Sequence, residues 1–238
     1  MLKSFIFYIN LLFALLATVP EMLRLQRRKP TMTKEAVAEY AYSVAKRYAK
    51  AQYDATGSTV ELIGGENVPA SGPCLFVSNH QGYFDIAIFL AYVDREKGFI
   101  AKTEISKIPI LRTWMWDIRC IFMDRSDIKK AAKAITEGIQ TLKSGYCLVV
   151  FPEGTRSKGG PVGEFKAGSF KLATKAKAPI VPVTIDGAAD IMEKNGGKIA
   201  PRHVRIVVHP PVDTAGLTAD EVTALPDKVR ETIVNGFL

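Results

Sequence analysis

Residues 127–157, DIKKAAKAITEGIQTLKSGYCLVVFPEGTRS, hold a helix, a turn, a strand and a polar junction in succession. The amphipathic stretch Asp127–Lys143 reads as a helix, with Ser126 as N-cap and Gly145 just past its end. The apolar run Tyr146–Phe151 reads as a buried strand. Pro152 ends that strand, and Gly154 permits unusual backbone angles in the junction that follows. The same alternation runs outward in both directions. Further strands are expected at Thr59–Ile63, Cys74–Ser78, Gly98–Ala101, Cys120–Asp124, Ile180–Ile185 and His203–His209. Further helices are expected at Phe84–Val93, Ile108–Trp116, Ala167–Lys177 and Ala219–Asn235. Alternating β and α over this length predicts an α/β fold: a mostly parallel sheet of about seven strands flanked by helices.

The 238 residues include enough apolar material, 47%, for a large core, which excludes a disordered or fibrous chain. Cys74, Cys120 and Cys147 lie in or beside apolar runs and form no CxxC pair, so neither a disulfide framework nor a cysteine zinc site is expected. Three histidines are too few for a histidine-rich metal centre. The net charge of +8 is uneven: residues 1–60 carry +5 and residues 101–177 carry +8, while the other blocks are acidic. That bias favours an anionic partner such as a phosphate or an anionic lipid. Nucleic acid ranks low, because aromatics are not interleaved with the basic residues in a stacking pattern.

Residues 1–55 read as an N-terminal membrane-associated helical arm, and 56–238 as an α/β catalytic domain. Ser4–Val19 is almost wholly apolar and is closed by Pro20. A span needs about 20 such residues, so this run either crosses at a small tilt or lies in one leaflet. A cleaved signal peptide and a buried core helix are the other readings; Arg24, Arg27, Arg28 and Lys29 directly after the run argue against export. The positive-inside rule keeps that cluster cytoplasmic, which places the chain at the cytoplasmic face of a membrane (the inner membrane in a bacterium). Thr33–Tyr53 reads as an amphipathic helix, with Val37, Ala41, Val44 and Tyr48 on one face.

Three polar, glycine-containing junctions follow expected strands, where α/β folds gather their functional groups. In Asn79–Asp85 (NHQGYFD), His80 and Asp85 are five apart, so only a turn at Gly82 can bring the carboxylate to the imidazole. Such a pair fixes the tautomer and leaves one ring nitrogen as a base; the alternative has Asp85 simply capping a helix. No G-x-S-x-G elbow is present, so the hydroxyl to be deprotonated belongs to a substrate. In Phe151–Ser157, Arg156 offers a planar fork for phosphate, with Arg125, Lys102 and Lys166 as candidate neighbours. Pro179 and Pro182 flank and enter Ile180–Val183, which suggests an edge or site-lining strand, or ordinary core.

Taken together, the junctions resemble the glycerolipid acyltransferase family, in particular its 1-acyl-sn-glycerol-3-phosphate acyltransferases. Asn79–Asp85 resembles the family's N-H-x-x-x-x-D block, Ile121–Arg125 (IFMDR) its second, Phe151–Ser157 (FPEGTRS) its third and Ile180–Val183 (IVPV) its fourth. All four stand in the family's order. The resemblance implies that His80 is a general base and Asp85 its orienting partner. It implies that Glu153, Gly154, Thr155, Arg156 and Arg125 hold the glycerol phosphate, with Lys102 a further candidate, and that Pro182 shapes the acyl-donor side. The implied reaction joins lysophosphatidate to an acyl group from acyl-CoA or acyl-carrier protein, at a bilayer, with no metal or prosthetic group. A different acceptor, such as glycerol 3-phosphate or another lysophospholipid, fits the same blocks. A non-enzymatic anionic-lipid-binding protein fits the charge alone.

Overall fold

The computed structural model describes residues 2–237. Its seven strands are β1 (Thr59–Ile63), β2 (Leu75–Ser78), β3 (Lys97–Lys102), β4 (Ile121–Met123), β5 (Cys147–Val150), β6 (Ile180–Asp186) and β7 (His203–Val208). They form one sheet in the order β1-β7-β6-β2-β5-β3-β4. Every neighbouring pair is parallel except β6 with β7. The sheet is therefore mostly parallel, as the alternation predicts.

Helices cover both faces. α1 (Leu2–Ala17), α2 (Val19–Arg28), α3 (Lys34–Asp54), α4 (Phe84–Tyr92) and α5 (Pro109–Asp117) bury their apolar residues with Phe76, Val149 and Val181. α6 (Ile128–Lys143), α7 (Ala167–Ala176) and α8 (Ala219–Val234) bury theirs with Leu75, Val77, Leu148, Val150 and Ile180. Successive strand residues point to opposite faces, so neighbouring residues of β2 and β5 belong to different cores. This is why both strands read as unbroken apolar runs.

The helix starts follow their capping chemistry. Thr33 accepts from Ala36 N–H at 3.2 Å to start α3. Thr218 and Glu221 form a reciprocal capping box on α8. At α6 the cap is Asp127, not Ser126. Asp127 Oδ1 accepts from the N–H groups of Lys129 and Lys130 at 2.9 and 3.1 Å, while the Ser126 hydroxyl donates to Asp124 at 2.6 Å. The N-terminal apolar run is likewise not closed by Pro20. Pro20 lies in the first turn of α2, where its missing N–H costs nothing, and the break between α1 and α2 falls at Thr18.

Of the readings left open for Ile180–Val183, ordinary core is the one observed. β6 is interior, between β7 and β2, and Pro182 is buried within it. The Pro182 carbonyl accepts from His209 N–H at 2.9 Å, so the donor that proline lacks faces β7 just where β7 ends. The ladder to β2 is untouched, with Val77 beside Pro182 and Ser78 beside Val183. A proline is tolerated in the interior because it removes a terminal bond rather than a central one.

Lys97, on β3, is wholly buried. Its ammonium donates to Tyr42 Oη at 2.5 Å and to the carbonyls of Val93 and Arg95 at 2.6 and 2.8 Å, tying α3 to the sheet. Burial pushes its pKa down to about 7. In the unfolded chain the amine keeps its proton up to its ordinary value, about 10.4. Between about pH 7 and 10 the unfolded state thus binds more protons, and the Lys97 contribution to stability rises with pH across that window. Urea titrations at pH 7 and 9.5 should show the rise, and Lys97→Met should flatten it. An equal slope in the variant assigns the pH dependence elsewhere.

Candidate active site

The β2, β5 and β6 carboxyl ends lie side by side, and hydrogen bonds clamp the loops that follow. Asn79 closes a two-bond bracket with Ile185, its amide donating to the carbonyl and its oxygen accepting from the N–H, each at 2.8 Å. The Gln81 side chain accepts from Ala188 N–H at 2.9 Å. Ser157 N–H donates to the His80 carbonyl at 2.8 Å and Lys158 N–H to that of Gln81 at 3.1 Å. The loop after β5 is thereby laid against the loop after β2.

Within this frame His80 Nδ1 lies 2.6 Å from Asp85 Oδ2. The same oxygen accepts from the N–H groups of Gln81 and Gly82 at 2.7 and 2.8 Å. Asp85 therefore holds the turn and the imidazole together, and it does not cap the helix, the alternative its spacing left open. It lies in the first turn of α4, whose own N-cap is Tyr83. The Asp85 side chain is fully buried, whereas 18% of the His80 side chain is exposed. The imidazole stacks on Phe151, ring centroids 4.1 Å apart and planes 18° apart. With the Asp85 oxygen as acceptor on Nδ1, the proton is assigned to that nitrogen. Nε2 is left with its lone pair and, among the described residues, has no hydrogen-bond partner.

Glu153 is a brace in this arrangement. Its Oε1 accepts from His80 N–H at 2.7 Å and its Oε2 from Gly163 N–H at 3.0 Å. Burial pushes its carboxyl above the usual carboxylate range, although the two amide bonds pull the other way. Both oxygens accept from backbone amides, so Glu153 ties the loops after β2 and β5 together.

The cations divide into two groups around Gly154. Gly154 has φ 75°, the left-handed region that favours glycine. The Arg125 guanidinium donates to its carbonyl. A Cβ there would stand 2.9 Å from Lys166 Nζ and 3.1 Å from Arg125 Nη1, so a side chain would fill the space between the two cations. On the other side, the Arg156 guanidinium lies 3.7 Å from the centroid of the Tyr83 ring and 3.6 Å from Glu193 Oε1. Thr155 is exposed and, with Glu153, Gly163 and Lys166, lines an open pocket of about 420 Å³. A second cavity of about 190 Å³, with walls including Ile100, Met123, Val150 and Leu172, meets Arg125, Gly154 and Lys166.

Two expected site residues stand apart. Lys102 ends β3 with its ammonium exposed and paired to Glu104 at 2.7 Å. Pro182 is buried inside the sheet and lines neither cavity. Glu193 and Tyr83, by contrast, touch Arg156, although neither has a role in the sequence reading.

The model of the Acyltransferase family matches residues 59–186, a span that takes in all of these junctions. The chain belongs to the acyltransferase family. Among curated acyltransferases, the chloroplastic 1-acyl-sn-glycerol-3-phosphate acyltransferase BAT2 of Brassica napus is 36% identical over 177 residues, 73% of this chain and 50% of that protein. The human 1-acyl-sn-glycerol-3-phosphate acyltransferase alpha is 36% identical over 182 residues, 76% of this chain and 64% of that one. The chain thus spans half to just under two thirds of the length of these two relatives. The Borreliella burgdorferi 1-acyl-sn-glycerol-3-phosphate acyltransferase is 32% identical, covering 75% of this chain and 71% of that one. Among solved structures, the acyltransferase PlsC of Thermotoga maritima superposes with TM-score 0.85 at 30% identity, covering 99% of this chain and 93% of that one.

Proposed function

We propose that this chain transfers an acyl group from a thioester, acyl-CoA or acyl-carrier protein, to the free sn-2 hydroxyl of lysophosphatidate, giving phosphatidate. The observation that carries this reading is the His80–Asp85 pair, with Nε2 free beside an arginine-bearing loop. Nε2 takes the proton of the hydroxyl as its oxygen attacks the thioester carbonyl. The tetrahedral intermediate collapses, the C–S bond breaks, and the imidazolium returns the proton to the leaving thiolate. Base catalysis of this kind supplies about 10²–10⁴-fold, and joint positioning of two bound substrates much of the remainder. The chemistry calls for no metal or prosthetic group. Arg156 takes the acceptor phosphate, while Arg125 and Lys166 give the neighbouring anionic seat. The apolar cavity beside them suits an acyl chain lying next to its headgroup.

The arm supports attachment to a bilayer from its cytoplasmic side. α1 exposes Leu2, Phe5, Ile6, Leu12 and Phe13. Its other face is fastened to the domain: Phe7 is buried, and its ring lies 6.0 Å from that of Phe84. The helical stretch Leu2–Thr31 as a whole is long and apolar enough to cross a bilayer, but α1 is held along the domain by its Phe7–Phe84 face. We infer that α1 lies in one leaflet, with Arg24, Arg27 and Arg28 of α2 exposed to the headgroups.

A matrix of donors and acceptors with the purified full chain in detergent tests the function. Phosphatidate formation from lysophosphatidate is expected, and its absence overturns the reading. Faster transfer to glycerol 3-phosphate or another lysophospholipid moves the acceptor. Arg156→Ala removes a charge-assisted bond to phosphate, so the KM for lysophosphatidate should rise about 10–100-fold with kcat changed less. Equal KM values in variant and wild type place the phosphate elsewhere.

A further inference from the structure

Beyond β6 the chain returns a carboxylate to the site from outside the matched family segment, which ends at residue 186. Glu193 begins a single helical turn, Glu193–Asn195, and only 5% of its side chain is exposed. Its Oε1 accepts from Tyr83 N–H at 2.8 Å and stands 3.6 Å from Arg156 Nη1. Its Oε2 is buried without a hydrogen-bond partner. The carboxylate lies so close to Gly82 that a Cβ there would fall 2.5 Å from Oε2, so a glycine at 82 is what admits it. Arg156 is thus held on two sides, its flat face on the Tyr83 ring and one edge against Glu193. At 3.6 Å the carboxylate steers the guanidinium without taking a short hydrogen bond, and leaves N–H groups for another anion.

The turn itself is seated by the arm. Tyr8 of α1 donates its hydroxyl to the Gly197 carbonyl at 2.6 Å and lies 3.2 Å from the Met192 sulfur. Ser4 Oγ accepts from Ile199 N–H at 3.0 Å. Two residues of the apolar helix therefore grip the segment on either side of Glu193.

We propose that Glu193 is a positioning residue that aims Arg156 at the acceptor phosphate, from a turn held in place by α1. The proposal rests on Arg156 being the phosphate ligand. An arginine has many rotamers, and a site that holds one in advance binds its anion without first having to order it. Glu193 acts only through Arg156, so its effect belongs to acceptor binding and vanishes when Arg156 is gone.

The test is a double-mutant cycle in the full-length protein, varying lysophosphatidate and palmitoyl-CoA in turn. Glu193→Ala should raise the KM for lysophosphatidate about tenfold, with kcat and the KM for palmitoyl-CoA within about twofold. Glu193→Gln, which keeps an acceptor for Tyr83 N–H, should recover most of that loss. In an Arg156→Ala background, Glu193→Ala should add less than about twofold. Tyr8→Phe should give a weaker form of the same acceptor-specific rise. The positioning role is overturned if Glu193→Ala lowers kcat and affects both substrates alike, or if its effect persists in full without Arg156. A wild type that makes no phosphatidate overturns the functional reading and this proposal together. An active wild type with an additive cycle overturns this proposal alone.

Discussion

Replacing His80 with alanine is expected to lower kcat about 10²–10⁴-fold while leaving the fold in place. The imidazole makes one side-chain hydrogen bond, to Asp85, and one stacking contact, to Phe151. Neither joins distant elements that lack other ties, because the Asn79–Ile185 bracket and the Ser157–His80 backbone bond do not use the ring. The melting temperature should therefore stay within about 5 °C of wild type. Initial rates of phosphatidate formation, read with a melting curve on the same preparation, separate the two effects. A rate near wild type removes His80 from the chemistry. A collapse of the melting curve means that the ring is structural.

Asp85→Ala should do both kinds of damage. One oxygen serves three donors, His80 Nδ1 and the N–H groups of Gln81 and Gly82, and the side chain is fully buried. Truncation leaves two buried backbone amides without an acceptor, at about 1–3 kcal/mol each. For a chain of this size, a loss of about 3 kcal/mol lowers the melting temperature by about 6–12 °C. The rate should fall as far as in His80→Ala, because nothing else holds the proton on Nδ1. Asp85→Asn separates these roles. Its carbonyl still accepts from the amides, so stability is largely kept, but a neutral amide no longer favours the imidazolium, and kcat should still fall about 10²–10⁴-fold. Full activity in Asp85→Asn would show that the charge is irrelevant and that only the turn matters.

Much of this architecture is legible in the chain because the parallel strands are buried on both faces. Such strands read as unbroken apolar runs ended by glycine, proline, asparagine or aspartate, whereas Thr59–Ile63, an exposed edge strand, is nevertheless bounded to the residue. The His80–Asp85 contact was legible as a possibility, because Gly82 sits at the only place where a turn brings the two together. What escaped depends on contacts between segments distant in sequence. Pro182 leaves edge, site-lining and core open until the strand order shows its missing donor facing the end of β7. The bracing of Glu153 on the amides of His80 and Gly163, 73 and 10 residues away, leaves no mark in the sequence. Glu193 has no local signal at all: within IMEKNGGK it is one charged residue among several in a glycine-rich turn. Only its burial and its distance from Arg156 distinguish it from a solvated acid.

The two helical layers differ in character, and on the proposed attachment that difference sets which face of the protein meets the bilayer. The apolar arm lies in the layer of α4, whose first turn carries Asp85. The opposite layer presents exposed lysines at positions 129, 133, 171 and 175. A molecule resting on a lipid sheet through its arm turns that lysine-studded back toward the aqueous phase.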